Sequence, residues 1–451
     1  MGSFNPSSKP SRAIVVGAGL GGCAAALALH AHHPDMQITV LEKVRQFNRL
    51  GDSLGLGFNA FRLLKRWGCD TDQLKDIGNQ SPTMCIRRWG DGMVLAEQEL
   101  MDMAGYIGHR GDYHEIFLNW VREKGIPIRM NSQVLSYDAA APSVSLKSGE
   151  TLHADIIIAS DGIKSLARSL VTGYEDHPRS SGYACFRAYA DTSEELKTNP
   201  MTSSLFAQDS VNIWIGPDVH LVQNSLRGGT EFNWILTRKD PSPFVSEEDS
   251  WFHPGDMDEV RRIVNGGAPR EPASNGDGPK SISIAPGKLD EPIRMAVSTT
   301  KQCLDWKICY RDPLPRWGEQ KHGKIILLGD SCHAHLPTSA QGASQAVESA
   351  GVLSVCLELC DGDVGLATRV YEKLRFARTR QSQMNGEDVR DRWHNALKNV
   401  DMGKSIDPDD VKIRNRWLYA FDAEADAGER WETVKQEVEQ ELREGGIRPL
   451  C

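Results

Sequence analysis

The chain has 451 residues, 40% of them hydrophobic and 25% charged, an ordinary globular composition with room for two or three domains. A formal net charge of −9 excludes a nucleic-acid surface, which needs a basic stripe against phosphates. No apolar run is long enough to predict a membrane span, and ten scattered cysteines without a Cys-x-x-Cys pair predict reduced thiols in a cytoplasmic protein.

After a polar N-terminal stretch without signal-peptide character, the first predicted element is the strand "RAIVVG", followed by a helix in "GGCAAALALHAHH". "MQITVLEK" then forms a second strand ending at Glu42, twenty residues beyond Gly22. This is a βαβ unit carrying G-x-G-x-x-G. Gly17 makes the tight turn, Gly19 lets the backbone approach a pyrophosphate, and Gly22 lets helix meet strand. The helix N-terminus offers free N–H groups and partial positive charge to the phosphates. A carboxylate at Glu42 suits a ribose hydroxyl pair and disfavours a 2′-phosphate, so the expected ligand is NAD or FAD.

Further along, "HADIIIASDGIKSLAR" reads as an apolar strand ending at Asp161-Gly162, then a helix start with Arg168. From residue 181 to 236 the runs alternate between apolar and polar and are broken by Gly, Pro, Asp and Asn, predicting an antiparallel sheet. Residues 238 to 290, rich in Pro, Gly, Asp and Ser, predict surface loops. "GKIILLGDSCHAHLPTSAQGASQAVESAG" gives a strand ending at Gly329-Asp330, a proline loop and a helix opening at Gln341-Gly342-Ala343. Its "CHAH" does not predict a metal site, because neighbouring residues seldom converge on one ion. An amphipathic helix follows from Val364 to about Trp393, and "ERWETVKQEVEQELREGG" is a charged tail helix. A ligand contacted by three such distant segments is long, and FAD fits better than NAD.

The set "GAGLGG…LEK", "GHRGDYHEIF", "ASDGIKSLAR" and "LLGDSCHAHLPTSAQGASQAVE" resembles the single-component FAD-dependent monooxygenases of the aromatic hydroxylase type, most of all their fungal secondary-metabolite and salicylate-hydroxylase-like members. The resemblance runs from about Arg12 to "WLYAFDAEADA". It implies an α/β fold: an FAD-binding Rossmann-like domain in two parts (residues 1–180 and 301–395), an inserted antiparallel-sheet substrate domain (181–300) and a C-terminal helical segment (396–451). It also implies that Gly17, Gly19, Gly22, Glu42 and Lys43 hold the ADP half of non-covalent FAD. Arg110 would reach the ribityl–pyrophosphate region, and Asp161 with Gly162 would serve both FAD and NADPH. Gly329 and Asp330 would bind the ribityl chain, with Gly342 and Ala343 beside the pyrimidine end.

The activity implied is oxygenation of an aromatic secondary metabolite by NADPH or NADH and O2 through a flavin C4a-hydroperoxide, in a monomer or homodimer. On the predicted sheet, Arg187 has two readings: a strand-edge ion-pair partner, or a catalytic and substrate-binding guanidinium in the pocket. Asn224 stands about where phenol-handling relatives have tyrosine, which weakens a phenolate reading and leaves indole alkaloids, epoxidised at C2–C3 and rearranged to a spiro product, beside phenols and aromatic acids. Asp52, in "GDSLGLGFNA", is either a loop or capping aspartate or a catalytic carboxylate beside the flavin. The absence of a second Rossmann fingerprint argues against Baeyer–Villiger enzymes, and "NIWIGP" lacks the second tryptophan of flavin halogenases. A non-enzymatic nucleotide-sensing Rossmann protein is the alternative from another class.

Overall fold

The computed structural model describes residues 9–49, 53–100, 105–240, 252–269, 285–400, 406–412 and 416–451. Asp52 lies outside them.

Five short strands form an all-parallel sheet in the order Ile325–Leu327, Ile156–Ala159, Arg12–Val16, Gln37–Leu41, Ile128–Arg129. Val15 is paired with both Val40 and Ile158, and all three are fully buried. Strands covered on both faces need such continuous β-branched runs. The helix Leu20–His32 packs on one face through Ala24, Ala25, Ala26 and Ala28. Their small side chains let it approach the helix Gly342–Leu359, which joins the same core.

The second sheet has eight strands, in the order Phe252–Gly255, Cys303–Tyr310, Arg179–Asp191, Glu231–Lys239, Val219–Leu226, Ser210–Gly216, Thr83–Arg88, Val94–Glu99. It differs from the antiparallel sheet expected within residues 181–300. Strands from before and after that segment join it, and Ser210–Gly216 runs parallel to Thr83–Arg88. Thr83–Arg88 pairs with the nearby Val94–Glu99 but also with the distant Ser210–Gly216, and Cys303–Tyr310 pairs with the distant Arg179–Asp191. The described part of residues 238–290 is also more ordered than the loops expected. It holds the Phe252–Gly255 strand and the helix Met257–Val264, capped by the Asp256 carboxylate accepting from the N–H groups of Asp258 and Glu259.

One helix, Val364–Val400, links the two sheets and extends past the Trp393 end expected from its periodicity. Near its start Val370, Tyr371 and Leu374 enter the core of the parallel sheet. Farther on, Val389 and Trp393 pack with Met84, Ile86, Val211 and Ile213 beneath the eight-stranded sheet. Among the described residues no helix is long and apolar enough to cross a membrane, and no group of three or more His, Cys, Asp or Glu side chains could hold a metal.

Candidate active site

A cavity of about 770 Å³ runs from the C-terminal ends of the parallel strands to the face of the eight-stranded sheet. Its walls bring together Gly17, Gly19, Glu42, Lys43, Arg110, Asp161, Gly162, Arg187, Asn224, Gly329, Asp330, Gly342 and Ala343. Gly22 stands one layer behind.

The first strand ends at Gly17, whose φ of +96° is open to glycine alone at low cost, and a Cβ there would lie 2.7 Å from the Ser160 carbonyl. At Gly22 a Cβ would collide with the Gly17 carbonyl. This is the close helix–strand approach that the motif predicts. The helix starting at Leu20 has neither a side-chain cap nor an acidic residue in its first turn, which leaves its N–H groups to a ligand. Glu42 is held in place: Oε2 accepts the Ala18 N–H at 3.0 Å and Oε1 the Val44 N–H at 3.1 Å. A carboxylate accepts about four hydrogen bonds, so capacity remains for ribose hydroxyls.

At the second strand end, Tyr137 donates to Asp161 Oδ2 at 3.3 Å, while the buried Oδ1 has no hydrogen-bond partner among the described residues. Burial raises this carboxyl above the usual carboxylate range. At the third, Gly329 adopts φ +71° and passes the chain to Asp330. Ser331 pins this corner by accepting the Leu328 N–H at 2.9 Å and donating to the Ala159 carbonyl at 2.7 Å. Asp330 is exposed on the cavity wall; the surrounding protein raises its carboxyl, and the positive charge of Arg110 offsets part of that. Arg110 opens the helix Arg110–Glu123, whose first turn is capped by His109 Nδ1 accepting the Gly111 N–H at 3.1 Å.

The helix Gly342–Leu359 aims its uncapped N-terminus at the cavity. Beside it Gln341 is buried, with Oε1 accepting from Asn59 at 3.1 Å and Nε2 without a partner among the described residues. Unpartnered polar atoms at Asp161 and Gln341, two open helix N-termini and a glycine cradle fit a long polyhydroxylated dinucleotide carrying a polar ring system. FAD therefore suits the residues present.

Toward the eight-stranded sheet the lining becomes apolar and aromatic. The Arg187 guanidinium carbon lies 3.7 Å from the Trp306 ring centroid, a cation–π contact on the adjoining strand. Asn224 is buried and donates to Ser53 Oγ at 2.7 Å, as does its cross-strand partner Asn233 at 3.0 Å. Sequence reading missed Tyr183, His220, Trp306, Arg390 and Trp393 in this lining. Alternation held the signal for two of them: Tyr183 shares a face with Arg187, and His220 shares one with Asn224. Nothing in the sequence showed that the far end of a helix begun near residue 364 would complete the wall.

A family model described as "FAD binding domain" matches residues 11–208. Asperlicin C monooxygenase from Petromyces alliaceus is 28% identical over 432 residues, covering 94% of this chain and 88% of that protein. The 3-hydroxybenzoate 6-hydroxylase of Klebsiella oxytoca is 30% identical over 385 residues, covering 82% of this chain and 86% of its own. Among solved structures, CtdE in complex with FAD and a substrate superposes with a TM-score of 0.79 at 25% identity, covering 95% of this chain and 99% of CtdE.

Proposed function

From a chain that belongs to the FAD-dependent monooxygenases of the aromatic hydroxylase family, we propose an enzyme that uses NADPH or NADH and O2 to oxygenate an electron-rich aromatic secondary metabolite. Family membership displaces the nucleotide-sensing alternative. The observation that carries the reading is the single cavity joining three dinucleotide-type strand ends to an aromatic-walled chamber. When bound, FAD supplies electron storage and oxygen activation.

The chain's own residues have the following tasks in this reading. Gly17, Gly19, Gly22, Glu42 and Lys43 seat the ADP half; Arg110, Asp161 and Gly162 flank its middle. Gly329 and Asp330 orient the ribityl chain, while the N-terminus at Gly342 and Ala343 favours negative charge on the reduced ring. Arg187, with its protonated and fixed donors, grips a substrate oxygen or steadies charge as oxygen transfers. The apolar chamber walls exclude water.

A second reading, epoxidation of an indole at C2–C3, is favoured by the uncharged Asn224 in place of a phenolate-binding group. Purified protein is expected to release its FAD on acid precipitation, and NAD(P)H oxidation with ¹⁸O₂ across phenols and indoles tests the reading. Label in a hydroxylated phenol supports the first version and label in an oxygenated indole the second. NAD(P)H consumption that labels no member of either class argues against both.

A further inference from the structure

Behind the aromatic chamber lies a chain of three polar side chains from three elements. His220 Nδ1 is 2.8 Å from His394 Nε2, and His394 Nδ1 is 3.4 Å from the Tyr183 hydroxyl. His220 and Tyr183 line the cavity, on strands that flank Glu231–Lys239, whereas His394 belongs to the long helix behind them. We propose that this chain recognises an uncharged amide or lactam on the aromatic substrate, by offering it one hydrogen-bond donor and one acceptor.

The reason is the order of hydrogens along the chain. An imidazole–imidazole hydrogen bond needs one ring to donate and the other to accept. If His220 Nδ1–H donates to His394, then His220 Nε2 presents a lone pair to the chamber. His394 Nδ1–H then donates to the Tyr183 oxygen, and the tyrosine O–H is left to donate to a ligand. If His394 Nε2–H donates instead, every bond reverses: His220 Nε2–H donates into the chamber, Tyr183 donates to His394, and the tyrosine oxygen accepts. In either order the two wall groups offer one donor and one acceptor. A ligand with acceptors alone, such as a carboxylate, always meets one mismatched partner, and a buried mismatch is costly.

Adding a proton to the chain would make both wall groups donors, but the surroundings oppose it. Burial, with His394 and the positive charge of Arg390, holds His220 well below the usual histidine range. Burial likewise raises the Tyr183 phenol, which keeps its hydrogen. Arg390 stacks at 4.9 Å from the Tyr183 ring centroid and donates through Nε to Asp391 at 2.8 Å. Trp393 edges against His220 and Thr237 pairs opposite it on the next strand, while the charges of Lys239, Asp218 and Asp391 act on Tyr183 in opposing senses.

The proposal rests on the monooxygenase reading, which makes this chamber the substrate's place, and it is tested by binding. The FAD-loaded protein is titrated with 1-naphthylacetamide, its N,N-dimethylamide and 1-naphthylacetate, following the flavin spectrum. The primary amide is expected to bind about tenfold more tightly than its N,N-dimethylamide, the worth of one good hydrogen bond. In Tyr183→Phe that gap is expected to shrink to about threefold or less. His394→Phe, which touches no ligand, should narrow it differently: His220 and Tyr183 could then both donate, and the two acceptor-only probes would bind better. Equal binding of the two amides, no binding of the primary amide at millimolar concentration, or an undiminished gap in Tyr183→Phe would overturn the proposal. NAD(P)H-dependent oxygenation of the phenol and indole panel is scored separately. Amide discrimination without any oxygenation sinks the enzyme reading alone, and oxygenation without discrimination sinks the amide proposal alone.

Discussion

The Arg187 guanidinium sits over the Trp306 ring, its central carbon 3.7 Å from the ring centroid, where both side chains line the cavity. The aromatic face fixes a cation that remains charged in apolar surroundings. Arg187→Ala is expected to retain FAD yet lose on the order of a hundredfold or more in oxygenation, the scale for one preorganised donor. Arg187→Lys keeps the charge without the planar fork and should consume NAD(P)H with release of hydrogen peroxide. Near-parental coupling in both variants would make Arg187 a structural strand residue.

Asp330 gives two opposite expectations from one substitution. Asp330→Asn should lower flavin content, since a charge-assisted hydrogen bond to a ribityl hydroxyl weakens. In the flavin-free protein the same change should raise thermal stability at neutral pH. A carboxyl raised by its surroundings binds its proton more tightly when folded, so the folded state loses stability as pH rises through the raised value. The advantage of asparagine should fade as pH falls below the ordinary carboxylate range. Flavin absorbance per protein and melting curves from acid to neutral pH check both halves.

Glu42 holds the turn through two backbone N–H groups. Glu42→Ala releases the Ala18 N–H inside the glycine turn and removes the acceptor proposed for the ribose. FAD affinity should fall by about tenfold or more, at one to two hydrogen bonds to a charged group. Equilibrium dialysis of the reconstituted protein measures this, and unchanged affinity would remove Glu42 from the ligand's surroundings.

The fully buried Glu348 accepts from Arg375 at 2.6 Å, twice from Arg378, and from Asn59 at 2.6 Å. Burial pushes its carboxyl up, but Arg375 and Arg378 more than offset this and hold it below the usual range. Its stabilising contribution is therefore complete above the ordinary glutamate range and lost as pH falls through the lowered value. Glu348→Ala strands two guanidiniums and should cost about 3–5 kcal/mol in denaturant unfolding. A loss under about 1 kcal/mol would mean that water has taken the carboxylate's place.

The dinucleotide half was legible because local rules decide it. At Gly17, Gly22 and Glu42 the turn, the close approach and the strand end lie within thirty residues of one another. The chamber was less legible because its walls are assembled by pairings across long stretches of chain. Arg187 faces Trp306 only because Arg179–Asp191 pairs with Cys303–Tyr310. His220 meets His394 across 174 residues. Alternation says which side chains share a face, but not which element covers it. Asn224 illustrates the limit: its position on the strand was readable, whereas its bond to Ser53 was not.

The helix Val364–Val400 acts as a ruler between two chemistries. Arg375 and Arg378 clasp Glu348 beneath the flavin-side helix, Gly386 meets the Ser339 turn too closely for a side chain, and Trp393 closes the chamber. At about 1.5 Å and 100° per residue, inserting one residue near Gly386 would swing Arg390, Trp393 and His394 to another side of the rod while leaving Arg375 in place. Exchanging Arg390 or Trp393 would therefore reshape the chamber one side chain at a time, whereas a change in the helix's length would displace the whole wall at once.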